Sequence, residues 1–221
     1  MSNGPAPASR TRSFQAKYAL FVVYLAMAAY VLATRDLMLL DGSSPLRQRY
    51  DPIPWLMIVH GGFGALALVL GIFQFSTRLR QRYLKVHRVM GYMYIVGVAI
   101  SAPVAVKVAT ILVIPTLTMA SVIQATGWMV TTATALYCVR TGRIQQHREW
   151  MMRSYPFAMV FVVVRAIVAI PAVAALGELG LAETVWSVIA VACFLPSFVI
   201  AWMNLARSRP ATRASAADSN R

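Results

Sequence analysis

Three histidines carry most of the chemistry on offer in this sequence. His87 and His147 close two short segments, LRQRYLKVHR (Leu79 to Arg88) and VRTGRIQQHR (Val139 to Arg148), built on one frame: an apolar residue and arginine, six residues, then His-Arg. Two neutral imidazoles from neighbouring helices are a common pair of axial donors to a b-type haem iron, and nearby arginines can pair with its propionates. Gly91, one turn beyond His87, and Gly71 further upstream supply the small surface that a flat macrocycle needs. His87, His147, Gly91 and Gly71 are therefore the expected haem-binding residues.

His60 belongs to a second group. It shares a pattern of polar residues in apolar surroundings with Ser101, Gln124 and Arg165, the last inside the run VFVVVRAIVAI. A cation in such a run must pair, reach water or contact a ligand, and no Asp or Glu lies in any apolar run of the chain. His60, Ser101, Gln124 and Arg165 are the expected lining of an outer ligand pocket. Arg165 and Gln124 would hold the oxygens of a quinone or of a small anionic ligand, and His60 would take the proton of a quinol.

The elements that position these residues follow from composition. The chain has 221 residues, 59% hydrophobic and 13% charged, with a mean hydropathy of +0.63. A soluble domain of this length could not bury that apolar excess. Six runs are long enough for a hydrocarbon core of about 30 Å: Tyr18 to Thr34, Pro54 to Phe75, Val89 to Thr110, Thr116 to Val139, Met152 to Leu176 and Thr184 to Leu205. The expectation is an all-α, polytopic protein of the bacterial cytoplasmic membrane, surrounded by lipid. The first run is read as a span rather than a cleaved signal, because the polar tail before it is long and no A-x-A site closes it.

The net charge of +14 is not a nucleic-acid footprint, because the cations gather in short segments between apolar runs. Arginines and lysines fill the N-terminal tail, the second and fourth loops and the C-terminal tail, which places both termini in the cytoplasm. The tails, residues 1–13 and 208–221, are rich in Ser, Ala, Pro and Arg and read as disordered, leaving residues 14–207 as the membrane domain.

Small and polar residues recur at helical spacing on the second to fifth spans. The series are His60, Gly64, Ala67, Gly71 and Gln74; His87, Gly91, Tyr94, Val98 and Ser101; Gln124, Gly127, Thr131, Thr134 and Cys138; and His147, Ser154, Ala158 and Arg165. Such stripes face other helices. Spans two to five thus form a four-helix core with spans one and six at its periphery, and the glycine stripe of span two serves equally well as a homo-oligomer face.

Helical rise of about 1.5 Å per residue brings His60, Gln124 and Arg165 to similar depths, with Arg165 farthest from the surface. Cys138 and Cys193 lie on different spans without a C-x-x-C frame and read as packing residues. No H-E-x-x-H, Ser/His/Asp set or carboxylate pair supports a hydrolase.

HGGFGALALVLGIFQF, LRQRYLKVHRVMGYMY and HREWMMRSYPFAMVFVVVR occur in that order, and together they resemble the bacterial predicted-membrane-protein family called domain of unknown function 2306, over roughly Pro54 to Arg165. The resemblance implies a multi-helix inner-membrane protein and no established activity. His87 to Gly91, in the form HR-x-x-G, is also similar to a segment of the b561-type cytochromes, from whose four-histidine scheme this sequence departs. Three classes of function stay open: a b-type haem or quinone-linked redox protein, a small transporter or ligand-binding membrane protein using the outer pocket, and a structural or assembly protein with no cofactor.

Overall fold

The computed structural model describes residues 22–23, 25–30, 32–51, 53–112 and 115–207, and among these there is no strand. The expected tails and much of the first expected span lie outside the described residues. Of that span, residues 25–30 are helical, followed by a π-helical turn, Leu32–Asp36, and a 3-10 turn, Leu37–Leu39.

Eight α-helices follow: α1 (Pro45–Arg49), α2 (Pro54–Gln74), α3 (Thr77–Arg82), α4 (Leu84–Leu112), α5 (Pro115–Arg140), α6 (Ile144–Val168), α7 (Pro171–Ala174) and α8 (Gly177–Arg207). Five of them, α2, α4, α5, α6 and α8, are long and apolar enough to cross a membrane. Their many Val and Ile residues are no obstacle there, because a helix satisfies its own backbone polar groups where no water can.

Local signals set the ends. Ser44 caps α1, accepting from the Arg47 N–H at 3.1 Å, while Pro45 occupies the first helical position, where its missing N–H costs nothing. Just before it, the Ser43 hydroxyl at 2.7 Å and N–H at 2.9 Å both donate to Asp41 Oδ1 and hold that carboxyl below its usual pKa. Ser76 caps α3 in the same way through the Leu79 N–H.

Between α5 and α6 the chain reverses in three residues. Arg143 N–H donates to Cys138 O at 2.8 Å and Gly142 N–H to Val139 O at 3.3 Å, the paired bonds of a Schellman cap. Gly142 takes the left-handed conformation this requires, with φ 75°.

The fifth span differs from expectation. The predominantly apolar run from Met152 to Leu176 suggests one helix, yet α6 covers Ile144–Val168. Pro171 explains the stop: its ring would clash with the carbonyl four residues back and it has no N–H to give, so the chain breaks into the separate turn α7. The helix is displaced by about two turns toward the His147 end. His147 becomes the fourth residue of α6, and His87 is likewise the fourth residue of α4. Their backbone N–H groups close equivalent first turns, onto Arg143 O at 2.9 Å and Tyr83 O at 3.0 Å.

The closest packing is between α2 and α4 and between α5 and α6, giving two hairpins, which join through α4 with α5. At the α2–α4 crossing, a Cβ on Gly97 would lie 2.9 Å from Phe63 O, so glycine there permits the approach. The main core cluster includes Ala67, Tyr94, Val98, Trp128, Tyr155 and Val160, and a smaller one joins Ile53, Met57 and Val108. The sixth span, α8, lies on one flank as expected, but it packs along α6 and adds Val185, Ile189 and Ala192 to the core. Its other face keeps Phe194, Leu195, Phe198 and Trp202 exposed, as a lipid-facing surface would be.

Candidate functional site

A wide open space lies at the basic end of the bundle, between α3, α4, α5 and α6. It has a volume of about 840 Å³, within the range of small-molecule and cofactor sites. His87 from α4 and His147 from α6 both line it. Arg80, Arg88, Arg140 and Arg148 surround them, and Leu84, Ile95, Leu136, Val139 and Met151 supply apolar wall. Arg140 also sits over the Tyr92 ring, 5.9 Å from its centroid. Four guanidinium groups around one concavity repel each other, and an anionic occupant would relieve that repulsion.

The two imidazoles are held differently. His147 Nδ1 is 2.9 Å from Ala135 O. Because a carbonyl can only accept, Nδ1 carries the proton in the neutral ring and Nε2 keeps its lone pair. His87 Nδ1 is buried with no hydrogen-bond partner, and so is Gln74 Nε2 on the facing helix α2. Gln74 and Gly91 both line the cavity, and a Cβ on Gly91 would sit 3.4 Å from Gln74 Oε1. Gly71 makes no room for a cofactor: its missing Cβ is the seat of the Tyr155 ring, with Tyr94 also against it. The glycine stripe of α2 thus faces inward, with Gly64 against Ser101 Oγ, rather than toward a second copy.

At the other end the structure brings together three of the four residues expected in the outer pocket. Ser101 Oγ donates to His60 O at 3.0 Å, and His60 Nδ1 lies 3.0 Å from Ser101 O and 2.9 Å from Ser101 Oγ. These contacts fix His60 against α4. Gln124 Nε2 donates to Phe157 O at 3.0 Å. His60 and Gln124 border a space of about 10 Å³, with Trp128 and Phe161 in its wall, which is room for one water at most. A quinone ring would require the helices to part.

Arg165 does not line this space. Because α6 stops at Val168, Arg165 lies in the last helical turn instead of mid-span, where a cation complements the helix dipole.

Between the two ends runs a polar ring that reasoning from sequence does not find. Trp128 Nε1–H donates to Tyr94 Oη at 3.0 Å, Tyr94 bonds Ser154 Oγ at 2.8 Å, and Ser154 bonds Thr132 Oγ1 at 2.7 Å. Thr132 Oγ1 donates to Trp128 O at 2.7 Å. Since Thr132 spends its one proton on a carbonyl, Ser154 must donate to Thr132 and Tyr94 to Ser154. The ring starts and ends on Trp128 and ties α4, α5 and α6 together with every donor used. The series Gln124, Gly127, Thr131, Thr134 and Cys138 follows a neighbouring face of α5; stepping from Gln124 by fours to Trp128 and Thr132 would have exposed the ring.

A family model described as "Predicted membrane protein (DUF2306)" matches residues 57–205, which include both cavities, the ring and all five long helices in whole or large part. The chain belongs to the DUF2306 family. No curated protein and no solved structure matches it.

Family membership and five long apolar helices make this DUF2306 chain a multi-pass membrane protein in a lipid bilayer. Among its described residues no group of three His, Cys, Asp or Glu is placed to hold a bare metal ion. Haem iron asks less of the protein, because the porphyrin supplies four donors and two imidazoles complete the set. The large cavity of the DUF2306 chain fits that group in donor type, volume and rim charge, with Gly91 rather than Gly71 providing open wall.

Proposed function

We propose that this protein is a b-type haem protein of the bacterial cytoplasmic membrane, with haem b in the basic cavity. The observation that carries the assignment is the convergence of His87 and His147, from equivalent positions of two repeats, on one cavity rimmed by four arginines. His147 presents Nε2, held in orientation by its Nδ1–H bond to Ala135 O, and His87 supplies the second imidazole. Arg80, Arg88, Arg140 and Arg148 bind the propionates. Bound haem supplies one-electron redox chemistry. The apolar wall of Leu84, Ile95 and Leu136 keeps water from the macrocycle face, which helps set the potential. With the arginine-rich end in the cytoplasm by the positive-inside rule, electrons exchange on that side of the membrane.

The test is a visible absorption spectrum of detergent-purified protein from haem-replete cells, oxidised and dithionite-reduced, beside a His87→Ala/His147→Ala variant. A reducible Soret band and α-band, lost in the variant, is the expected result. A colourless wild-type protein would overturn the proposal.

A further inference from the structure

Of the two histidines in the basic cavity, one is anchored and the other is not. A metal-bound imidazole normally gives its second N–H to a carbonyl or carboxylate, and loss of that partner costs about 10–100-fold in metal affinity. His147 has such a partner in Ala135 O at 2.9 Å. His87 has none: its Nδ1 is buried without an acceptor. No hydrogen bond at Nδ1 fixes its tautomer or ring orientation.

We infer that His147 would be the fixed ligand of that haem and His87 the exchangeable one, whose place a neutral diatomic molecule would take. The exchange is electron-neutral. The bond from iron to His87 opens, a lone pair of the incoming molecule fills the position, and His87 remains a neutral imidazole in the cavity. The assignment depends on the haem proposed above and adds to it a ligand-binding activity with carbon monoxide as the probe.

The experiment compares dithionite-reduced wild type with His87→Ala and His147→Ala, before and after carbon monoxide. Haem content and the carbon monoxide difference spectrum are read. Wild type is expected to bind carbon monoxide. His87→Ala should keep its haem and bind the gas faster, while His147→Ala should retain at least about 10-fold less haem.

His147→Gly with added imidazole guards against simple misfolding: recovery of the Soret band identifies a lost ligand, and no recovery in a normally eluting protein counts against His147. Haem-replete wild type that takes up no carbon monoxide, or equal haem loss from both single histidine variants, overturns the inference while leaving the haem assignment intact. Absence of haem from wild type overturns both.

Discussion

Replacing Tyr94 by phenylalanine isolates the polar ring from everything else in the core. Tyr94 is fully buried, so the substitution removes one oxygen and leaves the packing of its ring unchanged. That oxygen accepts from Trp128 Nε1 at 3.0 Å and donates to Ser154 at 2.8 Å. Without it, the indole N–H is a buried donor with no acceptor, which costs about 1–3 kcal/mol. Interhelical hydrogen bonds in membrane proteins average about 0.6 kcal/mol and reach about 1.7. A loss of about 1–2 kcal/mol therefore follows for Tyr94→Phe.

Ser154→Ala strands the Tyr94 hydroxyl in the same way, so the two variants share one interaction. In a double-mutant cycle their effects should fall short of additivity by at least about 0.5 kcal/mol. Reversible unfolding in mixed micelles, followed by helicity, supplies the free energies. Trp128, 5% exposed, gives a second signal in its fluorescence, since Trp55, Trp186 and Trp202 are already exposed. Two single variants within about 0.3 kcal/mol of wild type, with a strictly additive double, would refute the ring as a stabilising unit.

Glycine substitutions on α2 probe the packing beneath the cavity. Gly71→Ala drives a methyl group into the Tyr155 ring and should cost about 1–3 kcal/mol, whereas Gly62→Ala meets nothing within 4 Å and should be neutral or slightly stabilising in the same unfolding assay. At the α5–α6 turn, Gly142→Ala forces a side chain into the left-handed region at φ 75°. A loss of about 1 kcal/mol is expected there, measurable as a lower midpoint of thermal unfolding in detergent.

The five long apolar helices were readable because apolar length is a one-dimensional quantity. Pro54 and Arg140 end helices close to where the hydropathy pattern puts them. The repeat correctly set His87 and His147 at matching places, since a shared frame fixes register without knowledge of the fold. Arg165 was misjudged for a local reason: hydropathy is blind to the missing N–H of Pro171, and so the fifth span slid by about two turns. Gly71 was read as space, but a glycine is as often the place where a neighbour fits, here Tyr155. Trp128 and Thr132 escaped because their partners sit on α4 and α6, and hydrogen bonds between helices leave no period in any single one.

The ring that closes on Trp128 also determines what can cross the protein. A row of hydroxyls relays a proton when its last oxygen can pass one on to a further acceptor that will release it. In this bundle the row starts at an indole, which has no lone pair to take a proton, and finishes at a backbone carbonyl, which has none to give. Thr132 borders the large cavity and Trp128 borders the small one, yet the path joining them is a dead end for protons. The ring therefore binds the helices together without opening a proton path between the two cavities.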